Sequence, residues 1–303
     1  MKLDEIKTVG VVGAGTMGNG IAHVFARAGY RVFLSDVDRS ILDRAPATID
    51  KNLDREIKRG KLAAAEKPAV LDRLRLATSL AELAAEAQFV VEAVPERPEL
   101  KKSILAELGR QMPEPAFLAT NTSSISITAL AAASGRPERF AGMHFMNPVP
   151  VMTLVEVVRG LETSEETYAL VLALCERLGK KPVAVRDAPG FVSNRVLLPM
   201  INEAVYAVLE GVATVEAVDQ VMKLGMSHPI GPLELGDLIG LDVCLDILEV
   251  LQRDLGDSKY RPCPLLRRMV AAGWLGRKSG RGFYVYEPTG AAADPALAAG
   301  ASY

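Results

Sequence analysis

Apolar residues over the first 185 positions fall into two alternating patterns. Short runs rich in β-branched and aromatic side chains predict strands at TVGVVG (8–13), YRVFLSD (30–36), FVVEAV (89–94) and PAFLATN (115–121). Three more follow at RFAGMHF (139–145), LVEVV (154–158) and KPVAV (181–185). Between several of them apolar residues recur at helical spacing, as in IAHVFARAG (21–29). That rhythm predicts an α/β domain with a Rossmann-like, mostly parallel sheet and helices on both faces. The charged stretch DKNLDREIKRGKL (50–62) is longer than an ordinary crossover and is expected to form a projecting helical pair.

After DAPGFVSNR (187–195) the strand pattern gives way to helical spacing. VLLPMINEAVYAVLEG (196–211) ends in a glycine suited to a helix cap, with Pro199 near its start. VEAVDQVMKLG (215–225), LGDLIGLDVCLDILEVLQRDLG (235–256) and CPLLRRMVAAGWLG (263–276) are also helical, with glycines expected to interrupt the longest. The predicted organisation is a first domain over 1–185, an all-α C-terminal domain over 186–290 and a weakly packed tail over 291–303. Apolar helical faces in so small a domain suggest packing against a second copy.

The 35 basic and 37 acidic side chains leave a formal net charge of -2, which provides no broad positive field for a nucleic-acid backbone. Cys175, Cys244 and Cys263 lack the paired spacing of a zinc site or disulfide framework, so a reducing, cytoplasmic setting is expected. Neither a membrane-length apolar run nor a cleavable leader is indicated.

VVGAGTMGNG places Gly13, Gly15 and Gly18 in GxGxxG order between a strand and a helix, with Thr16 and Met17 inside the turn. The first glycine allows the tight bend, the second close approach of a pyrophosphate, and the third close packing of helix on strand. Asp36 ends the second strand, where a carboxylate accepts hydrogen bonds from ribose hydroxyls and repels a 2′-phosphate. The pair of features predicts a dinucleotide. FAD poses the same pyrophosphate problem, but no stretch suggests an isoalloxazine site, and Asp36 favours NAD over NADP, with Arg39 the nearby cation that opposes it.

Oxidation of an alcohol by hydride transfer also needs a base for the hydroxyl proton. His144, in the apolar stretch AGMHFMNPVP, suits that role, and FMNPVP supplies a turn that brings Glu156 on the next strand within reach of its imidazole. TNTSSIS (120–126) follows a predicted strand at the edge where open α/β sheets bind ligands. There Ser123 is a candidate donor to the substrate oxygen, and Asn121 a candidate for orienting backbone or nicotinamide groups. Turn-making and helix capping are the competing account of such residues. Asn194 follows the domain junction as a further candidate. His23, His228 and Cys175 read as structural, Trp274 as an anchor of the helical domain, and no cluster has metal-ligand spacing.

The ordered set VGAGTMG, VVEAVPE, TNTSS, HFMNPVPVMTLVEVV, DAPGFVSNR, PIGPLELGDLIGLD and GRKSGRGFY resembles the L-3-hydroxyacyl-CoA dehydrogenase family, especially its short bacterial 3-hydroxybutyryl-CoA members. The resemblance covers roughly residues 6 to 286. It implies reversible NAD-dependent oxidation of a (3S)-3-hydroxyacyl-CoA to the 3-oxoacyl-CoA, and a homodimer formed through the C-terminal domain. It also implies His144 as base, Glu156 as its partner, Ser123 and Asn194 as contacts of the reacting substrate, and Glu96 on the nicotinamide side of the cleft. Lys58, Arg59 and Lys61 become candidates for the phosphates of coenzyme A, although a solvated helix face accounts equally for each. An L-gulonate or other hydroxy-acid dehydrogenase is the runner-up, and a non-catalytic nicotinamide-binding protein the third reading.

Overall fold

The structure, a computed structural model, describes residues 2–287 and the backbone of 292–295. It divides after Ala188 into two units. The first opens with β1 (Thr8–Val12), α1 (Thr16–Arg27), β2 (Arg31–Ser35), α2 (Arg39–Lys58), α3 (Lys67–Leu71), β3 (Leu74–Leu76), α4 (Leu80–Glu86) and β4 (Phe89–Glu92). It continues with α5 (Pro98–Gln111), β5 (Phe117–Thr120), α6 (Ile127–Ser134), β6 (Phe140–Phe145), β7 (Leu154–Arg159), α7 (Glu165–Arg177) and β8 (Lys181–Arg186). Its strands form one eight-stranded sheet in the order β3-β2-β1-β4-β5-β6-β7-β8. Pairings are parallel except β6 with β7, so β7 and β8 run against the others.

Every residue of β1, β4, β5 and β6 is buried, as expected of strands covered on both faces. A core gathers Val9 and Val11 of β1, Ile21 and Phe25 of α1, and Phe89 of β4. Each predicted strand is present, and β3 is an addition: three residues at the sheet edge are too few to show a period. The charged excursion does not project. Its residues 50–58 are the last turns of α2, where Leu53 is buried in the core and Ile57 packs against it. Lys67 at the start of α3 returns to pair with Asp50 at 2.8 Å and Asp54 at 2.6 Å.

The second unit comprises α8 (Ser193–Leu209), α9 (Val215–Gly225), α10 (Pro232–Ile239), α11 (Leu241–Leu255) and α12 (Pro264–Ala271). Gly240, with φ at +107°, breaks the long helical run into α10 and α11, as its position predicts. The unit closes with an unpredicted antiparallel pair, β9 (Tyr284–Tyr286) and β10 (Ala292–Pro295). The rest of the tail expected over 291–303 lies outside the described residues.

Two buried carboxylates tie this unit together. Asp219 of α9 accepts from the first-turn amides Leu233 at 2.8 Å and Glu234 at 2.9 Å, and from the Tyr284 hydroxyl at 2.9 Å. Asp237 of α10 accepts from the Phe283 and Tyr284 amides, both at 2.9 Å, and from the Tyr286 hydroxyl at 2.8 Å. Burial pushes the Asp237 carboxyl up to about 6 despite these three donors. Replacing one carboxylate oxygen with an amide NH2 sets donor against donor. Asp237→Asn is therefore expected to destabilise this unit by about 2–4 kcal/mol. The measurement is the chemical-denaturation midpoint by circular dichroism, and an unchanged midpoint would sink the idea.

Candidate functional site

The glycine turn sits at the carboxyl end of β1. Gly13 has φ at +100°, and a Cβ there would lie 2.6 Å from the Ala93 carbonyl oxygen. A Cβ at Gly18 would lie 1.7 Å from the Gly13 carbonyl, so the helix start cannot pack on the turn with any larger residue. Gly15 is different: its φ of -62° suits any residue, and a Cβ would meet nothing within 4 Å. Nothing inside this unit requires glycine there, whereas a pyrophosphate laid across the first turn of α1 does. The cradle thus fits a dinucleotide. Asp36 accepts from the Ala14 amide at 2.6 Å through one oxygen and from the Asp38 amide at 2.9 Å through the other, which fixes its carboxylate beside the turn. Arg39 is paired with Asp43 at 2.9 Å.

A groove of about 370 Å³ opens from this turn. Its walls include Thr48 and Asn52 of α2 and Asn147, Pro148 and Val149 of the connection between β6 and β7. Sequence reasoning did not single out these residues, because they meet only once α2 lies against the sheet.

The same connection brings His144 and Glu156 together. They face each other in the antiparallel register of β6 and β7, so their side chains leave the same face. His144 Nδ1 lies 2.7 Å from Glu156 Oε2, with the two residues 8% and 2% exposed. The acceptor carboxylate favours the tautomer with hydrogen on Nδ1, which makes Nε2 the basic nitrogen. Asn121, at the end of β5, accepts from the Phe145 amide at 3.0 Å and so anchors the end of the histidine strand.

The loop after β5 is organised by Glu96. One carboxylate oxygen accepts from the Thr122 hydroxyl, the Ser123 amide at 2.9 Å and hydroxyl at 3.4 Å, and the Ser124 amide and hydroxyl at 3.2 and 3.1 Å. Its other oxygen is 3.3 Å from Lys101 Nζ, which also meets Glu92 at 2.8 Å. Lys101 and Glu92 are buried, and Glu92 accepts from the Thr120 hydroxyl at 2.6 Å. Burial works to raise the Glu96 pKa, but the Lys101 charge, the Thr122 hydroxyl and the Ser123 amide outweigh it and hold the carboxyl below its ordinary range. Ser123 is thus presented by a loop wrapped around a carboxylate that stays ionised at neutral pH. Glu92 and Lys101 escaped the sequence reading because they come from different elements and carry no spacing signal.

Asn194 belongs to the second unit, in the first turn of α8, where its amide donates to the Gly190 carbonyl at 3.1 Å. Lys58, Arg59 and Lys61 are exposed at and just beyond the end of α2, and the Lys61 carbonyl accepts from Arg27 at 2.6 Å. His23 is fully buried with Nε2 3.2 Å from Glu56. All three cysteines are buried, and the Arg281 guanidinium lies 3.7 Å from the centre of the Trp274 ring. Among the described residues there is no cluster able to hold a metal ion, and no helix long and apolar enough to cross a membrane.

Comparison with known proteins identifies residues 8–188 with the NAD-binding domain of 3-hydroxyacyl-CoA dehydrogenase and residues 190–286 with its C-terminal domain. A probable 3-hydroxybutyryl-CoA dehydrogenase of Bacillus subtilis is 56% identical over 93% of this chain and 98% of that protein. The 3-hydroxybutyryl-CoA dehydrogenase of Bradyrhizobium diazoefficiens is 53% identical over 93% of this chain and 96% of its own length. The crystal structure of (S)-3-hydroxybutyryl-CoA dehydrogenase from Ralstonia eutropha superposes with a TM-score of 0.89 at 52% identity, covering 93% of this chain and all of that one.

The contrast between the glycines gives a direct test of the cradle. Gly15→Ala is expected to leave thermal stability unchanged while weakening NADH binding by about tenfold or more, the ligand being forced away from the helix start. Fluorescence titration with NADH alongside thermal melts checks this, and wild-type affinity in the variant would contradict it.

Proposed function

From the chain's membership of the 3-hydroxyacyl-CoA dehydrogenase family, we infer that it interconverts (3S)-3-hydroxybutyryl-CoA and acetoacetyl-CoA with NAD, using His144 as the base. The observation that carries this reading is the 2.7 Å contact between His144 and Glu156, set at the same carboxyl edge of the sheet as the glycine turn and the Ser123 loop. Bound NAD, held by Gly13, Gly15, Thr16, Met17, Gly18 and Asp36, supplies the hydride acceptor. Asn121 and Glu96 shape the loop on its nicotinamide side.

The residues of the chain manage the proton. His144 Nε2 accepts the hydroxyl proton as C3 of the substrate becomes a carbonyl, and returns it in the reverse reaction. Glu156 keeps the other ring nitrogen protonated and stabilises the imidazolium that forms. Ser123 donates a hydrogen bond to the reacting oxygen, where negative charge develops. The groove beyond the turn combines apolar wall from Ile41, Ala45 and Val149 with polar groups of Thr48 and Asn52. That mixture suits the alternating methylenes and amides of a pantetheine arm, and Lys58, Arg59 and Lys61 suit the phosphates at its far end. A free sugar acid such as L-gulonate has no use for such a groove, and a purely nucleotide-binding protein has none for the histidine pair.

The second unit serves substrate binding and dimer formation in this reading. Val212, Val221, Leu224, Met226 and Leu238 are more than half exposed on it, an apolar surface that a second copy would cover. Three buried, reduced cysteines agree with a cytoplasmic enzyme.

Purified protein is expected to oxidise NADH rapidly with acetoacetyl-CoA and NADPH poorly. His144→Ala should lower kcat by about 10²–10⁴-fold, the range for loss of a general base, and Glu156→Gln by a smaller factor. Stopped absorbance of NADH checks all three, and turnover of L-gulonate with none of acetoacetyl-CoA would overturn the assignment.

A further inference from the structure

Lys180 is a buried cation that the reaction does not employ. It follows α7 directly after Gly179, whose φ of +71° ends the helix, and its own amide donates to the Cys175 carbonyl at 2.9 Å. The backbone is therefore fixed, and the side chain, 7% exposed, reaches the connection between β6 and β7. There the ammonium group donates to the Val149 carbonyl and to the Met152 carbonyl, the latter at 2.7 Å. Both of these acceptors are backbone dipoles rather than carboxylates. Burial pulls its pKa below the ordinary lysine value, the charge of Glu56 acting against that effect and the charge of Arg27 with it. Burying an ammonium is costly unless its donors are used.

What it holds is the segment on which the candidate site depends. Pro148 and Pro150 have no amide hydrogens, and the Val151 and Met152 amides both converge on the Pro148 carbonyl at 2.9 Å. Those bonds shape the middle of the connection, while Val149 and Met152 carbonyls are satisfied by Lys180 from outside. Val149 also packs against α1 so closely that a Cβ on Gly20 would lie 2.8 Å from its Cβ. One end of the connection continues from His144 and the other leads to Glu156, and its middle is the wall of the groove beside the glycine turn.

We propose that Lys180 is a positioning residue for the reaction. By pinning two carbonyls of the β6–β7 connection, it fixes the register that sets His144 against Glu156 and, together with it, the wall of the substrate groove. The claim about turnover rests on the function proposed above. A strand slip of one residue would send Glu156 to the other face of the sheet, and even a shift of about 1 Å in a positioned group can cost about 10²-fold in rate.

The test uses Lys180→Met, which keeps the length and loses every donor, and Lys180→Gln, whose amide can serve one carbonyl. Steady-state reduction of acetoacetyl-CoA, NADH titration and the ring N–H proton resonance of His144 are measured on each. That resonance is assignable because the chain has only three histidines and it vanishes in His144→Gln. Lys180→Met should lose about 10–100-fold in kcat and raise KM for acetoacetyl-CoA about fivefold or more, with NADH affinity kept within about threefold. Its His144 resonance should shift or broaden, and Lys180→Gln should fall between it and wild type. A folded variant with wild-type kcat, KM and His144 resonance overturns the proposal; should Lys180→Met not fold, Lys180→Gln decides by the same criteria. If wild-type protein does not turn over acetoacetyl-CoA, the functional reading fails, while the resonance still decides the role of Lys180.

Discussion

The antiparallel pairing of β6 with β7 is the constraint around which the candidate chemistry is arranged. A purely parallel sheet cannot place two residues of consecutive strands side by side without a crossover of a dozen or more residues. One reversal of chain direction removes that requirement. His144 and Glu156, 12 residues apart, become cross-strand neighbours, and the short connection between them is left to line the groove beside the glycine turn. Because side chains alternate across a strand, the pair exists in one register and is lost in the adjacent one. The anchors of that hairpin are therefore as consequential as the pair itself: Asn121 on the Phe145 amide, and the Lys181 amide on the Thr153 carbonyl at 2.8 Å.

Buried charge does comparable organising work below the Ser123 loop. Glu92, Lys101 and Glu96 place one cation between two carboxylates, with the first two groups almost completely out of water. Such a cluster is weak evidence for added stability, since desolvation offsets most of the attraction. Its effect is on geometry. With Lys101 present, the Glu96 carboxylate can collect two amides and three hydroxyls of residues 122–124, and so define the shape of a loop that has no regular secondary structure. Removing the cation would leave two carboxylates confined together, and breaking a buried pair in this way typically costs 3–5 kcal/mol.

Legibility in the sequence followed the range of the interaction concerned. The glycine turn and Asp36 were readable because a strand, a turn and a helix start occupy adjacent positions, and the fold needs them in that order. The histidine and its carboxylate were readable because a proline-containing turn separates two strong strand patterns. Edge strand β3 and the closing pair β9 and β10 were not, since three or four residues show neither period nor boundary. The charged stretch of α2 suggests projection because polar residues dominate its sequence, while Leu53 and Ile57 carry the packing. Lys101 and Lys180 were silent for a further reason: in sequence a buried lysine looks the same as a solvated one, and only the partners of its ammonium group distinguish them.

The glycines separate what the fold requires from what a ligand requires. In the second unit a Cβ at Gly231 would lie 2.2 Å from Asp219 Cγ, and one at Gly282 1.9 Å from Asp237 Oδ1. Gly231 of PIGPLELGD thus closes on Asp219 of α9, and Gly282 of GRKSGRGFY on Asp237 of PIGPLELGD, which explains these glycines without any substrate. Gly13 and Gly18 have equally internal reasons, in the carbonyls of Ala93 and of Gly13 itself. Gly15 has none, although it lies between them in the same turn. A small residue whose dihedrals and neighbours would accept a larger one points outward to what approaches it, and here the approach is along the axis of α1, where backbone amides favour negative charge.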